Sequence, residues 1–413
     1  MSTCLHYGLN ARIDLDFSPE AVVEHCALQA AGEPRDPLAM LRGALGNPTG
    51  FPPLAKAVVP GDHVAIALEP GVPEADSIVA AVVQCVERAG ASLSDVTVLR
   101  TRDDAASHAP DPRSLLEPST RDVVKLETHD PAERGQLGYL ANTHAGRPIY
   151  LRRAVCDADL VVLVGCTRSR SALNYHGIHG GLYPTFSDTA TQRRYRHPRL
   201  IDRDASLLAL AWQEARYAVW LAGVHFAIQV VPGPDDTALE FFAGEPDAVD
   251  RLARERFEAA WEHTVPERAE LVIGAITGGP AQQTWENVGR ALAAARRVVA
   301  DGGAIALCTE LAASPGPAMR GLIDVDDLPR ALRRVQRQRL DDMQPASELI
   351  KAVMQSRVYL LSQLDETTVE ELGIAAIGDA ADLARLARRQ RRCVLLSDAQ
   401  YNMPTAHEDL ATL

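Results

Sequence analysis

The sequence predicts an α/β protein of two domains, each with a mostly parallel sheet flanked by helices, and a ligand cleft between them. Short apolar runs alternate with segments of helical periodicity, and this alternation starts afresh after residues 263–270. The chain of 413 residues also exceeds what a single hydrophobic core usually supports. We therefore predict one domain over residues 1–265 and a second over residues 270–413, with the cleft at their junction.

The N-terminal half shows the order of strand, helix and strand. The apolar run His63–Glu69 predicts a buried strand, and the segment after it repeats apolar residues at helical spacing up to Gly90. The runs Asp95–Thr101 and Phe226–Val231 predict further strands. Because parallel strands are joined by crossover helices, this order favours a parallel sheet covered by helices.

The C-terminal part repeats the same order. Glu270–Pro280 predicts a strand that ends in two glycines, and the residues from Gln282 to Ala300 predict a helix with Trp285 on its apolar face. Later apolar runs, such as Cys393–Ala399, predict the remaining strands. The second half therefore has the composition of a second α/β domain.

Charge and composition argue against several classes of protein. With 42 Lys+Arg against 55 Asp+Glu, the formal charge is −13, which does not suit a nucleic-acid-binding protein. The seven cysteines are scattered without a C-x-x-C pair, which is typical of a reduced cytoplasm. We find no signal peptide and no run of about 20 apolar residues, and so expect a cytoplasmic protein without a membrane anchor.

A loop rich in ionisable residues follows the predicted buried strand Asp157–Gly165. It reads NYHGIHGGLYPTFSDTATQRRYRHPR over residues 174–199 and contains three histidines. Functional groups concentrate on loops at strand ends, and histidine exchanges protons near neutral pH. We therefore predict that at least one of these histidines belongs to a functional site; the alternative is a surface loop whose histidines bond to neighbouring carbonyl groups.

The same loop carries Arg193, Arg194 and Arg196. Guanidinium groups bind carboxylates and phosphates through paired hydrogen bonds, so the arginines predict contacts to an anionic substrate or nucleotide. The alternative is a solvated helix start in which the arginines pair with nearby acids.

The turn TGGPAQQTW, residues 277–285, is the second candidate anion site. Gly278 and Gly279 follow a strand, and the amides of the helix predicted to start at Pro280 can bind a phosphate or carboxylate. Gln282, Gln283 and Glu286 would then face the ligand. A tight turn without a ligand is the alternative, since the turn lacks the G-x-G-x-x-G pattern.

Several of these stretches together resemble the nickel-dependent lactate racemase family. The similar segments are LRGALGNPTGFPPLAKAV over residues 41–58, LGYLANTHAGRPIYLRRAVCDADLVVLVG over residues 137–165, HGIHGGLYPTFSDTATQRRYRH over residues 176–197 and ITGGPAQQTWENVGRAL over residues 276–292. The resemblance covers roughly residues 5 to 400. It implies a two-domain fold with the site between the domains.

The family's activity implies a racemase or epimerase that acts on a 2-hydroxy acid by hydride transfer to a nickel-pincer nucleotide. The resemblance then implies that His176 and His179 act as acid and base and that His197 binds nickel, which imidazole suits. The residues implied to hold the cofactor or an anionic substrate are Gly180, Gly181, Tyr183, Arg194, Arg196, Gly278, Gly279, Gln283 and Glu286.

The chain departs from the family pattern at several positions. Tyr183 stands where the family has the lysine that tethers the nucleotide, and Val72 stands at an arginine position. Asp103 or Asp104 falls at a catalytic histidine, while Glu69 lies near the family's acid. Glu286 and Gly289 stand near a glutamine and lysine pair, with Arg290 adjacent. The alternative function is therefore a divergent member that binds an anionic small molecule or nucleotide without nickel chemistry.

Overall fold

The computed structural model describes residues 2–28, 36–107, 109–143, 145–169, 172, 175–201, 204–323 and 325–410. Asn174, at the start of the predicted histidine loop, lies outside these ranges. The strands are β1 Ser2–Tyr7, β2 Ala11–Asp16, β3 Val22–Cys26, β4 Val64–Leu68, β5 Val96–Thr101, β6 Lys125–His129, β7 Leu137–Asn142, β8 Pro148–Arg152, β9 Leu160–Cys166, β10 Phe226–Pro232, β11 Ala238–Gly244, β12 Glu262–Val265, β13 Ala269–Ala275, β14 Val299–Cys308, β15 Arg357–Leu361, β16 Ala375–Ala376, β17 Arg392–Leu396 and β18 Met403–Ala406.

Helices connect these strands and cover the sheets. They are α1 Pro37–Gly46, α2 Leu54–Ala57, α3 Ala75–Arg88, α4 Arg102–Ala106, α5 Pro118–Val123, α6 Arg153–Cys156, α7 Thr189–Tyr195, α8 Pro198–Ile201, α9 Ala205–Leu221, α10 Pro246–Trp261, α11 Trp285–Arg296, α12 Pro317–Arg320, α13 Leu328–Gln338, α14 Met343–Gln355, α15 Glu366–Glu371, α16 Ala380–Ala387 and α17 His407–Leu410. Among the described residues, no helix is both long enough and apolar enough to cross a membrane.

The first sheet has the strand order β11-β10-β9-β4-β5-β6. All neighbouring strands run parallel except the edge strand β11, which is antiparallel to β10. The strands β4, β9 and β10 are buried along their whole length, which explains why they appear in the sequence as continuous apolar runs. The predicted parallel sheet is confirmed here.

The second sheet has the order β16-β15-β14-β13-β17-β3, with every pair parallel. Its last strand comes from the start of the chain: Val22 of β3 pairs with Arg392 of β17. The hairpin of β1 and β2 packs on the same sheet, since Leu5 and Ile13 join its core. Strands β1 to β3 thus pack with the second sheet, although they lie within the residues 1–265 that the sequence predicts as one domain.

Both faces of each sheet are covered. In the first unit, which we define as the first sheet with its covering elements, α3 and α10 pack on one face and residues 178–186 with α9 on the other. In the second unit, α11 and α14 cover one face, while the β1–β2 hairpin and α16 cover the other. The fold is therefore a mixed α/β fold with mostly parallel sheets flanked by helices, as predicted.

Two details of the second unit differ from the prediction. Helix α11 begins at Trp285 rather than near Pro280, because the Thr284 side chain accepts a hydrogen bond from the Asn287 amide and caps it there. Val299, predicted at the end of this helix, is the first residue of β14. Its β-branched side chain suits a buried strand.

The carboxyl ends of the strands in both sheets face one another across the junction of the units. Gln282 Nε2, in the second unit, donates to the Gly71 carbonyl of the first unit at 3.1 Å. Asp398, which follows β17, accepts from the Asp235 amide at 2.9 Å. Loops that follow strands of two different sheets therefore meet in one place, the usual position for ligands in α/β proteins.

Candidate functional site

The predicted catalytic histidines line a cavity inside the first unit. This histidine cavity, defined by residues 175–179 with the facing sides of α9 and α10, has a volume of about 360 Å³. Its lining residues all lie between Tyr175 and Arg254, so none comes from the second unit. The structure thus brings His176 and His179 together around one cavity. The turn at Gly278, which the prediction assigned to the same site, does not line this cavity.

Both imidazoles are held in the neutral form. Burial lowers the pKa of His176 to about 4, and its Nδ1 atom is buried with no hydrogen-bond partner among the described residues. Burial also lowers the pKa of His179, although Asp247 opposes this effect with its carboxylate 3.6 Å from the His179 Nε2 atom. Two neutral imidazoles can each donate or accept one hydrogen bond through each ring nitrogen.

The glycine pair gives close packing beside these histidines. A Cβ atom at Gly180 would lie 2.7 Å from the His176 Cβ atom, so only glycine fits there. A Cβ atom at Gly181 would lie 3.7 Å from the Glu69 Cβ atom, which places this glycine next to the acid that follows β4. Gly180 and Gly181 are therefore packing positions that join the loop to the sheet.

Tyr183, which stands at the family's lysine position, is fully buried. Its hydroxyl group donates to Glu214 at 3.1 Å and accepts from Arg194 at 3.0 Å, while Arg194 also pairs with Glu214 at 2.6 Å. Burial, with Glu214 nearby, raises the pKa of Tyr183 to about 12. The phenol is thus a neutral member of a closed network.

The other predicted anion-binding arginines contact the second unit. Arg196 pairs with Asp341 at 2.7 Å, and Arg193 donates to the Gln338 carbonyl at 3.2 Å. The predicted metal ligand His197 lies in the turn directly after α7, partly buried. Arg193 and Arg196 thus contact the second unit, and the pairing of Arg196 with an acid agrees with the alternative of paired charges.

The turn at Gly278 is tied into the fold by its own side chains. Gly278 has a φ of +94°, and a Cβ atom there would lie 2.6 Å from the Asp236 Cβ atom. Gln283 donates to the Gly278 carbonyl at 2.8 Å and accepts from the Thr309 hydroxyl at 2.6 Å. Gln283 is thus committed to joining the ends of β13 and β14.

Glu286 and Gly279 complete the set of predicted residues. Glu286 lies 3.6 Å from Arg290, one helical turn further along α11. A Cβ atom at Gly279 would have only Leu9 in reach, at 3.9 Å, so this glycine is not required by packing.

A second group of polar residues lies where the sheets face one another, and we call it the inter-sheet polar cluster. It consists of Glu69, Asp104, Arg168, Asp236, Arg290 and Tyr401. Gly71 connects it: the Gly71 amide donates to Asp104 at 3.2 Å, and its carbonyl accepts from Arg168 at 3.3 Å. The Arg168 guanidinium lies 5.2 Å from the centre of the Tyr401 ring, and the Tyr401 hydroxyl donates to Asp236 at 3.3 Å.

The cluster perturbs the charges of its members. Burial raises the pKa of both Asp104 and Asp236 to about 7, against the favourable effects of the Gly71 amide and of Tyr401. Burial alone would lower the pKa of Arg168, but the acidic groups around it, including Glu69, raise it. Arg168 therefore remains cationic, while the two carboxyl groups exchange protons near neutral pH.

Sequence reasoning identified part of this cluster. The family pattern singled out Glu69 near the family's acid, Asp103 or Asp104 at a histidine position and Arg290 beside a lysine position. The structure brings Glu69, Asp104 and Arg290 together. Arg168, Asp236 and Tyr401 were missed, although each follows the end of a buried strand within six residues, and such positions are where α/β proteins place functional groups.

A larger depression of about 690 Å³ lies elsewhere, on the surface of the second unit. Its lining includes Arg268, which already pairs with Asp409 at 2.9 Å and with the Arg297 carbonyl. No member of either group of polar residues lines it, so it is not a candidate for the same site.

The residues present do not fit a covalently attached nickel-pincer nucleotide. Tyr183 has no amine to form the tether, and its hydroxyl group is already bonded on both sides. Within the described ranges, no three His, Cys, Asp or Glu side chains are placed to hold a metal ion.

The fold is that of mixed α/β proteins in which two mostly parallel sheets meet at the carboxyl ends of their strands. Residues 7–207 match the family model of the lactate racemase N-terminal domain. The chain is therefore lactate racemase-like, with residues 7–207 belonging to the lactate racemase N-terminal domain family, and the expected resemblance is confirmed.

Solved structures extend the likeness of fold over the whole chain. The lactate racemase apoprotein from Thermoanaerobacterium thermosaccharolyticum matches with a TM-score of 0.75 at 16% identity, covering 98% of this chain and 100% of that one. A Thermotoga maritima protein solved by structural genomics matches with a TM-score of 0.61 at 11% identity, covering 91% and 99%. No curated protein sequence matches the chain.

Proposed function

We propose that this lactate racemase-like protein binds a small 2-hydroxy acid in the inter-sheet polar cluster and exchanges protons with it, without nickel chemistry. The substrate carboxylate would pair with Arg168, and its hydroxyl group would bond to Asp104. The observation that carries the proposal is that the Arg168 guanidinium is buried and that one of its hydrogen-bond donors has no acceptor among the described residues.

Arg168 is a buried cation with an unused donor. Its residue is 3% exposed, and its Nη1 atom has no hydrogen-bond partner among the described residues. Buried guanidinium donors are nearly always satisfied, because an unmade charged hydrogen bond is costly. A ligand carboxylate would supply the missing acceptor with a charge-assisted bond.

Asp104 supplies the proton chemistry in this proposal. Its pKa of about 7 leaves it partly protonated at neutral pH, so it can either donate or accept a proton. Gly71 bonds to both Asp104 and Arg168, so that the carboxyl group and the guanidinium are positioned by one residue. This pairing of a fixed cation with a proton-exchanging acid suits a carboxylate that carries a neighbouring hydroxyl group.

The proposal is tested by calorimetry with a series of 2-hydroxy acids on the wild type and on Arg168→Ala. We expect the variant to bind about tenfold to a hundredfold more weakly, the loss of one charge-assisted contact. Arg216→Ala, which removes a largely exposed guanidinium, is the matched control and should bind as the wild type does. Equal affinity in Arg168→Ala and wild type, with both folded by circular dichroism, would rule the proposal out.

The second candidate is the family's isomerase activity on a 2-hydroxy acid, with the nickel-pincer nucleotide held without a covalent tether. It is supported by the family resemblance and by the neutral, buried imidazole of His176, which is in the form required of a base. Elemental analysis and intact mass spectrometry of protein produced together with the cofactor-making enzymes test it. Protein that contains neither nickel nor nucleotide would exclude this candidate.

A further inference from the structure

We propose that the histidine cavity is a separate binding site for a small zwitterion of the α-amino-acid type. The proposal starts from the size of the cavity. At about 360 Å³ it lies near the lower end of the range of roughly 300–1,000 Å³ that small-molecule sites occupy. It therefore suits a ligand of few heavy atoms.

The charges around the cavity are balanced and arranged as neighbouring pairs. Asp250 pairs with Arg254 at 3.3 Å on α10, and Asp247 contacts Arg216 of α9. A ligand with only a positive charge would bring that charge near the arginine of each pair, and a ligand with only a negative charge would bring it near the aspartate. A zwitterion places its ammonium group beside the aspartates and its carboxylate beside the arginines, so both of its charges meet an opposite charge.

The two charge pairs differ in exposure: the pair on α10 is more buried than the pair between α9 and α10. The Asp250 and Arg254 side chains are 26% and 21% exposed, whereas Asp247 and Arg216 are 40% and 66% exposed. Charge contacts at the less exposed pair are screened less by solvent and salt. Asp250 is therefore the carboxylate on which the ammonium group depends most.

The imidazoles give the ligand its hydrogen bonds without adding charge. His176 lines the cavity, and burial keeps its ring neutral by lowering its pKa to about 4. Its ring is fixed by an edge contact to Tyr195, with ring centres 5.1 Å apart. A fixed neutral ring nitrogen selects a ligand that has a hydrogen-bonding group beside its charges.

The test is isothermal titration calorimetry on the full chain with the common α-amino acids. For each one that binds, the amine without the carboxylate and the acid without the ammonium group are titrated as matched halves. We expect at least one amino acid to bind, and each half to bind about tenfold to a hundredfold more weakly. Asp250→Asn should cause a loss of the same size for the whole amino acid.

Two further variants locate the ligand. Ala209→Trp fills the cavity from α9 and should abolish binding, whereas Leu210→Trp places the same side chain on an exposed position outside the lining and should not. Arg168→Ala should leave amino-acid binding unchanged, so that failure of this proposal and of the proposed function are told apart. The proposal is overturned if no amino acid binds, or if the amine or the acid alone binds as tightly as the whole amino acid. It is also overturned if Ala209→Trp binds the amino acid normally, or if Arg168→Ala binds it more weakly than the wild type does.

Discussion

Replacing Asp398 by asparagine is expected to make the stability of the protein less dependent on pH. Asp398 is 3% exposed at the junction of the units. Its carboxyl group accepts hydrogen bonds from the Asp235 amide and the Thr277 hydroxyl. Asparagine keeps an oxygen for these bonds but cannot ionise, so the substitution removes the charge and little else.

The magnitude follows from the pKa. Burial raises the pKa of Asp398 from its ordinary 3.8 to about 7 in the folded protein. A group whose pKa is raised by folding stabilises the folded state below its unfolded pKa, and this contribution is lost as the pH rises through the folded pKa. At about 1.4 kcal/mol per pH unit, the wild type loses about 3 kcal/mol through this group between pH 5 and pH 8. Asp398→Asn should not lose it.

The assay is urea unfolding at pH 5, 6, 7 and 8 for wild type and variant. The difference in free energy of unfolding, variant minus wild type, should be about 3 kcal/mol larger at pH 8 than at pH 5. Asp365→Asn is the control: hydrogen bonds from Thr368 lower the pKa of this exposed carboxyl group, so above pH 5 it is ionised in both states. Its profile should run parallel to that of the wild type. A gap between Asp398→Asn and wild type that is the same at all four pH values would refute the reasoning.

Three further substitutions test other parts of the structure. Gly278→Ala should cost about 1–3 kcal/mol of unfolding free energy in urea, because φ is +94° and the added Cβ atom would meet Asp236; no loss would contradict this conformation. Tyr183→Phe should lower the free energy of unfolding by about 1 kcal/mol, because the hydroxyl bonds to Glu214 and Arg194 are lost. A variant more stable than the wild type would contradict these hydrogen bonds. Arg196→Ala should cost less than about 1 kcal/mol, because its partner Asp341 is 62% exposed, and the difference should shrink further in high salt; a larger loss that salt does not reduce would contradict a screened pair.

Local periodicity was enough to predict the central strands of both sheets and several of their helices. The strand Val64–Leu68 lies within its predicted segment, and Leu160–Cys166 and the helix Ala75–Arg88 match theirs to within one or two residues at each end, apart from the polar start of the first of these runs. Such elements can be predicted because burial on both faces of a parallel sheet leaves a continuous apolar run. The pairing of Val22–Cys26 with the second sheet could not be predicted, since this partner is set by tertiary packing over almost the whole length of the chain.

The candidate site residues likewise include some that the sequence indicated and some that it did not. The histidines were noticed because ionisable groups were dense in one loop, and the structure gathers His176 and His179 around one cavity. In the sequence, Arg168 stands among ordinary loop residues, and nothing in its neighbours indicates that its guanidinium becomes buried. Its significance depends on Tyr401 from the far end of the chain, which covers it in three dimensions.

The placement of Val22–Cys26 at the edge of the second sheet sets the order in which the molecule can be completed on the ribosome. This strand is synthesised long before its partner Arg392–Leu396, because all strands of the first sheet lie between the two in the chain. The first unit, by contrast, contains all of its own strands between residues 64 and 244 and can fold while the rest is still being made. The opening segment must therefore remain unpaired throughout most of synthesis, and a nascent chain stalled before residue 392 would carry a finished first sheet beside an unpaired strand that is exposed to other chains.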